Sequence, residues 1–261
     1  MTREASILAI IDALGLPPEA RVDARVPKKL LVEQGAPTSA DKRAIQDGID
    51  ELQWLAACKP TTIGVPAFAD ETREYLEIAV VACAFRPGAK AARLIELIHR
   101  AIPYPVVLVT TDEEGIALSV AHKRYAQNEA GKIVIERVVS VVGLSREQLN
   151  PNEQAFLQSL ALAKQSRRDL CTLYEGWLAR IEALTAARLL GPDSSGAFTA
   201  TDDAASIERR RDALEAHSRL MREIIGLRAK ATREKQLNRR VDLNLKIQRL
   251  EADLATHKKN L

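Results

Sequence analysis

The residues able to do chemistry fall into three groups. Four acids, Asp70, Glu71, Glu74 and Glu77, precede or enter an apolar, strand-like segment. Paired carboxylates at such a place can hold a magnesium ion beside a lysine that assists an attacking water. The lysine is missing where a restriction-type nuclease would show it, because Glu77 runs directly into Ile78, Ala79, Val80 and Val81. The acids read more plainly as loop carboxylates and a strand entry, and a divergent metal-dependent nuclease built on Glu77 remains an alternative. The second group is His122, Lys123, Arg124 and Tyr125, which closes a strand. Strand ends of α/β sheets commonly receive ligands, and a basic pair beside His and Tyr can grip a phosphate backbone or stack on a base. The plainer reading is a solvated strand end with Tyr125 folded onto the core. Lys28 and Lys29 form a smaller basic loop that could equally be plain surface.

The third group is the C-terminal tail. From Ala204 onward, 15 Lys or Arg stand against 8 Asp or Glu, a balance of +7, whereas the preceding residues hold 23 basic and 27 acidic, a balance of −4. The overall +3 therefore hides an acidic head and a basic tail. Acids such as Glu215, Glu223 and Glu234 allow local pairing four residues apart, yet the surplus remains. A helix with that surplus attracts nucleic acid or an acidic protein face. Arg239 and Arg240 are its adjacent pair within REKQLNRR, a stretch polar except for Leu237.

Catalytic signatures are otherwise missing. The chain has no GxxxxGK[ST], GxGxxG, GxSxG or HExxH pattern, so nucleotide hydrolysis, dinucleotide binding, serine hydrolysis and zincin chemistry lose their usual markers. His99, His122, His217 and His257 are far apart, and no cysteine or second histidine stands at ligand spacing. Cys58, Cys83 and Cys171 form no CxxC pair and read as buried thiols. The sequence assigns no catalytic residue, no metal ligands and no cofactor. The longest apolar stretches, Ile78 to Phe85 and Ala101 to Thr111, are shorter than the about 20 residues of a membrane helix. MTREASILAI lacks the apolar core of a signal peptide, so a cytoplasmic protein without membrane contact is expected.

The elements that must position these groups change character near residue 150. Before it, short helices are expected at 3–14 and from Thr38 or Ser39 to about Leu52, with β-branched segments at Thr61–Val65 and Tyr75–Phe85. A helix over Ala91–Ala101 follows, then strands at Tyr104–Thr111, Ile116–Ala121 and Gly131–Val142. Asp112, Glu113, Glu114 and Gly115 make a hairpin turn. After Asn150, a cap, and Pro151, apolar residues recur at alternating steps of four and three from Phe156 to Leu184, interrupted by Arg167. A second seam begins at Leu220, Ile224, Leu227 and Ala231 and resumes two residues out of frame at Leu243, Ile247, Leu250 and Leu254. The fold expected is α+β: a mixed α/β sheet domain over 1–149, then a long antiparallel helical hairpin over 150–261. That coiled-coil-like arm has helices at about 151–190 and 203–257 joined by a loop over 191–202.

Several segments together carry a resemblance. VPKKLLVEQG, ELQWLAACKPTTIGVP, YLEIAVVACAF, AIPYPVVLV, AHKRYA and EKQLNRRVDLNLKIQRLEADL resemble a bacterial domain-of-unknown-function family encoded in anti-phage defence islands beside Swi/Snf-type helicases and DNA methyltransferases. The resemblance spans nearly the whole chain, head and arm in the same order. It implies context rather than mechanism, since its motifs are not catalytic signatures and it brings no active site to transfer.

Within the tail, Glu234, Asn238 and Val241 would share one face of a continuous helix, with Asn244 nearby, where an apolar seam would call for leucines. Polar residues at seam positions fix register or partner choice, so these four form a candidate partner surface, or a solvent-facing gap. The expected function is a non-enzymatic accessory or adaptor subunit of an anti-phage, restriction-like system. It would bind a helicase or methyltransferase partner, with DNA contact through Lys28, Lys29, Lys123, Arg124, Arg239 and Arg240. A homodimeric structural coiled-coil protein is the other alternative.

Overall fold

A computed structural model describes residues 3–126, 133–144, 149–191, 196–258 and 261. An N-terminal mixed sheet of six strands is followed by C-terminal helices, as the change of period implied. Two compact units divide the chain, Met1–Ile181 and Glu182–Leu261.

In the first unit, α1 (Arg3–Ala13) leads through a short 3-10 turn into β1 (Arg21–Arg25), α2 (Lys28–Gly35) and α3 (Ser39–Gly48). Thr38 caps α3, its hydroxyl oxygen accepting from the Asp41 N–H at 3.1 Å; this satisfies one of the orphan donors at a helix start. The helix does not reach Leu52. Ile49 is already extended and opens β2 (Ile49–Cys58), whose Ile49, Leu52, Ala56, Ala57 and Cys58 are buried. The β-branched Thr61 and Thr62 lie in a single helical turn, α4 (Pro60–Ile63), not a strand. Pro60 supplies the first-turn geometry, and the Thr62 hydroxyl accepts from the Lys59 N–H.

A two-residue ribbon, β3 (Phe68–Ala69) and β4 (Glu74–Tyr75), is closed by Asp70, which accepts from the N–H groups of Thr72 and Arg73, each at 2.7 Å. Then β5 (Ile78–Phe85), α5 (Ala91–Ala101) and β6 (Val106–Thr111) form a parallel crossover, followed beyond β6 by β7 (Ile116–Tyr125) and β8 (Ile133–Leu144). The sheet order is β1-β2-β5-β6-β7-β8. The DEEG turn between β6 and β7 is as expected: Asp112 accepts from the N–H groups of Glu114 and Gly115. Gly115 sits at φ +142°, where a side chain would be strained.

The continuous apolar run of β5 is buried along nearly its whole length, as a strand covered on both faces must be. Against one face pack Leu31 of α2, Ile45 of α3 and Leu94, Leu97 and Ile98 of α5. The hydroxyl of Tyr174 ties down the middle of the sheet, accepting from the Ala121 N–H and donating to the Val106 carbonyl, both at 2.8 Å.

The helix expected over 151–190 is two helices. Asn150 caps α6 (Pro151–Ser159) through a reciprocal box with Glu153, but α6 ends at Ser159, and α7 runs Leu170–Leu190. Side chains take the carbonyls that a continuing helix would use. Gln165 and Arg180 donate to Ser159, and Trp177 donates to Leu160. Arg167, the seam's interruption, is not on a helix; its guanidinium donates to the Ile63 carbonyl at 2.7 Å.

In the second unit, Asp203 caps α8 (Ala204–Arg233), accepting from the Ser206 N–H at 2.9 Å. The helix expected over 203–257 is broken at 234–236, and α9 runs Leu237–Lys258. The hairpin is therefore α8 against α9: Ile224, Ala231 and Ile247 form its buried centre, with Leu227, Leu243, Leu250 and Leu254 packed on it. Arg228 and Glu251 pair across it at 2.6 Å. Among the described residues no helix is long and apolar enough to cross a membrane.

Candidate nucleic-acid interface

The two basic groups of the sheet unit are spent largely on the protein itself. Lys28 opens α2, and its ammonium donates to the backbone carbonyls of Ile49 and Gln46 at the end of α3. A cation there satisfies orphan carbonyls and opposes the negative end of the helix dipole. Lys29 is exposed and pairs with Glu33, four residues on, at 3.6 Å.

Lys123 points inward. Only 6 % exposed, it donates to the carbonyls of Ile102 at 2.6 Å and Tyr104 at 2.7 Å, pinning the connection from α5 to β6. Burial pushes its pKa down to about 7, because a desolvated ammonium is disfavoured. Its charge also helps hold buried His99 well below the ordinary histidine value, after burial itself. The His99 ring lies 3.0 Å from the Ser119 hydroxyl. Arg124 is half-buried and pairs with Glu136 at 3.1 Å, and Arg73 meets the same carboxylate at 2.7 Å. The four-residue group at the end of β7 is thus not a free basic patch. The cleft beside it, about 200 Å³, mixes Arg73, Lys123 and Arg124 with Glu74 and Glu77.

Glu77 itself pairs with Lys59 at 3.0 Å. Among the described residues no group of three or more His, Cys, Asp or Glu is placed to hold a metal ion. The cysteines are buried thiols, as read from their spacing; burial is the leading cause raising Cys58 and Cys171, each to about 12, and Cys83 higher still.

The hairpin arranges its cations differently. Where α8 stops, the Glu234 N–H still donates to the Lys230 carbonyl, but Glu234 is extended, and its carboxylate accepts from the Gln236 N–H at 2.8 Å. That turn reverses the chain and brings the end of α8 beside the start of α9. Lys230 and Arg233 from one helix and Arg239 and Lys246 from the other line an open groove of about 490 Å³, with Glu234, Asp242 and Leu243. Both helices enter with their apolar seams turned to each other, so the cations flanking those seams are left at the groove's rim.

Of the expected site residues, Arg239 lies in the groove; Arg240 is exposed on α9 outside its lining. Lys230, Arg233 and Lys246 are charges of the basic tail that sequence spacing did not gather into a site. The turn at 234–236 gathers them. Its signal was the two-residue frame shift between Ala231 and Leu243. The expected partner surface changes for the same reason: Glu234 sits in the turn and cannot share a helical face with Asn238 and Val241. Asn238, Val241 and Asn244 are exposed on α9.

Residues 14–254 match the family model described as Domain of unknown function (DUF4391). The chain belongs to this family. No curated protein and no solved structure matches it. The DUF4391 match covers residues of both the sheet unit and the hairpin, and the residues that line the basic groove lie within it.

Proposed function

We propose that the protein is a non-enzymatic accessory subunit of a bacterial anti-phage system that grips a nucleic-acid backbone with the hairpin groove and works beside a helicase or DNA methyltransferase. One observation supports this reading above the others: Lys230, Arg233, Arg239 and Lys246 converge on one open groove. The cations of the sheet unit are mostly absorbed by carbonyls and carboxylates. Four cations against two carboxylates, Glu234 and Asp242, leave the groove a surplus of positive charge that suits phosphates, which the cations would contact by displacing condensed counterions. The defence setting and the helicase or methyltransferase come from the family resemblance of the sequence motifs, and a cytoplasmic location from the N-terminal pattern and the short apolar stretches.

The test is fluorescence anisotropy of a labelled DNA duplex with the full chain at rising salt. Binding should weaken with a log-log slope of about −3, near one unit per phosphate contacted. The double variant Arg233→Glu, Arg239→Glu should lose most of the affinity and flatten the slope, while Lys29→Glu should bind like the parent. Absence of binding at low salt, or binding indifferent to the double variant, sinks the proposal.

A further inference from the structure

The groove between α8 and α9 holds its cations in a fixed frame. Ile224, Ala231 and Ile247 are buried in the seam between the helices, and Arg228 and Glu251 pair across it at 2.6 Å. At the chain reversal the Glu234 carboxylate accepts from the Gln236 N–H at 2.8 Å. Lys230 and Arg233 stand one turn apart on α8, about 4.5 Å along its axis, and Arg239 and Lys246 two turns apart on α9, about 10 Å. Packed helices have axes about 8–10 Å apart. A row of phosphates lying along the groove therefore meets cations from either rim.

Apart from charge, the groove offers no flat face. The apolar member of its lining is Leu243, whose side chain is engaged in the seam. No Phe, Trp or Tyr follows Phe198 in the sequence, and Phe198 precedes α8, with about 40 Å of helix between its start and Lys230. Proteins that hold single strands combine cations with aromatic faces on which the bases stack, and each stacked base is worth roughly tenfold or more in affinity. Here a single strand would gain nothing from its bases. It would also lose its own conformational freedom in fitting its phosphates to a rigid array of cations. A duplex brings phosphates already ordered by pairing. It carries a charge for about every 1.7 Å of axis, twice the density of one of its strands, so more condensed counterions are there to be released.

We infer that the hairpin groove selects double-stranded over single-stranded nucleic acid, taking one backbone ridge of the duplex between its two cationic rims. The inference rests on the phosphate reading of the groove and names the form of the polymer that the groove takes. The selection comes from the match between two preordered arrays, four cations fixed on packed helices and phosphates fixed by base pairing. The bases of a duplex are stacked on one another and need no aromatic partner from the protein; those of a single strand find none.

The test is competition at low salt, read by the anisotropy of a short labelled DNA duplex bound to the full chain. The competitors are the same duplex without label and an oligothymidine of equal phosphate count, which forms no pairs of its own. The duplex should compete about tenfold more tightly or better. Arg233→Glu, Arg239→Glu should bring the duplex down to the level of oligothymidine, with circular dichroism showing the helices intact. Oligothymidine competing as well as the duplex, through binding that the double variant removes, overturns the inference and leaves the phosphate reading standing. A duplex preference that survives the double variant places the selection elsewhere on the chain and overturns it too. If neither polymer binds, the phosphate reading falls and takes the inference with it. Should the double variant lose its helices, Arg233→Ala and Arg239→Ala decide singly, each expected to weaken binding of the duplex more than that of oligothymidine.

Discussion

Lys123 and Arg239 arise from the same sequence signal, a basic residue among basic neighbours, and they finish in opposite environments. Lys123 is buried at the end of β7 with its ammonium on two backbone carbonyls. Arg239 stands in the lining of an open groove with three other cations. The same contrast extends to the rest of each unit. Lys28, Arg167 and Arg180 of the sheet unit donate to carbonyls at helix ends and turns, whereas Lys230, Arg233 and Lys246 line the hairpin groove with Arg239. A sheet packed on both sides by short helices has many chain reversals and so many orphan carbonyls, which long cationic side chains can reach. A two-helix hairpin has one reversal and satisfies most of its backbone internally, leaving more of its cations at the surface. In the first unit the buried cations are part of the fold; in the second Arg228 pairs with Glu251 across the hairpin, and four others line an open groove.

That comparison breaks most visibly at Arg180. Its guanidinium is 4 % exposed and donates to the carbonyls of Ser159, Lys164 and Gly176, each at 3.0 Å. Arg180→Met keeps the apolar stem and removes the donors, taking the guanidinium from the Lys164 carbonyl and leaving Ser159 with Gln165 alone. The cost should be about 3 kcal/mol in urea unfolding, since hydrogen bonds from charged donors are among the stronger ones and unsatisfied partners add to the loss. DNA affinity of the folded fraction should not change. A variant as stable as the parent would show that solvent reaches those carbonyls and that the cation is not structural.

Lys123 gives a sharper reading through pH. Its folded pKa of about 7 lies below the 10.5 of an exposed lysine, so between those values the unfolded chain holds more protons than the folded one. Stability must therefore rise with pH across that window, by at most about 1.4 kcal/mol per pH unit from this group. Below pH 7 both states carry the proton, and the contribution is flat. Lys123→Met should be destabilised by roughly 2 kcal/mol near neutral pH through the abandoned carbonyls of Ile102 and Tyr104, and should lose the alkaline rise. Chemical denaturation from pH 6 to 10 measures both; a parent whose stability is level from 7 to 10 contradicts the burial assigned to this ammonium.

How much of this was legible beforehand follows the same division. Local signals held: Thr38 and Asn150 cap helices, Asp112 and Gly115 turn a hairpin, and the unbroken apolar run after Glu77 is a strand buried along nearly its whole length. What failed depended on distant partners. Nothing near Ser159 in sequence announces that Gln165 and Arg180 will take its carbonyl and end the helix, and heptad spacing runs on regardless through Ala163 and Arg167. Ile49–Leu52 continues the apolar pattern of α3, yet pairing with β5 draws it into the sheet. The cation cluster was half legible: its members were visible as charges and the frame shift was visible as a break. Only the chain reversal at 234–236 put them in one place. Lys123 was misplaced because spacing gives the residue and not the direction of its side chain.

The smallest expected effect is the one that separates fold from function most cleanly. Arg239→Ala removes a cation from the groove while touching no packed contact, and surface substitutions of this kind change stability by no more than about 0.5 kcal/mol. Its binding effect should still be measurable: the salt slope for duplex DNA should fall by about one unit, with affinity lost uniformly across sequences rather than at particular base pairs. Lys29→Ala, an exposed lysine in a four-apart pair with Glu33, should leave both stability and slope unchanged. If Arg239→Ala instead lowered stability and left the slope intact, the groove would be a structural cluster like those of the sheet unit. The two units would then use their cations alike, and the case for a nucleic-acid grip by the hairpin would go with the difference.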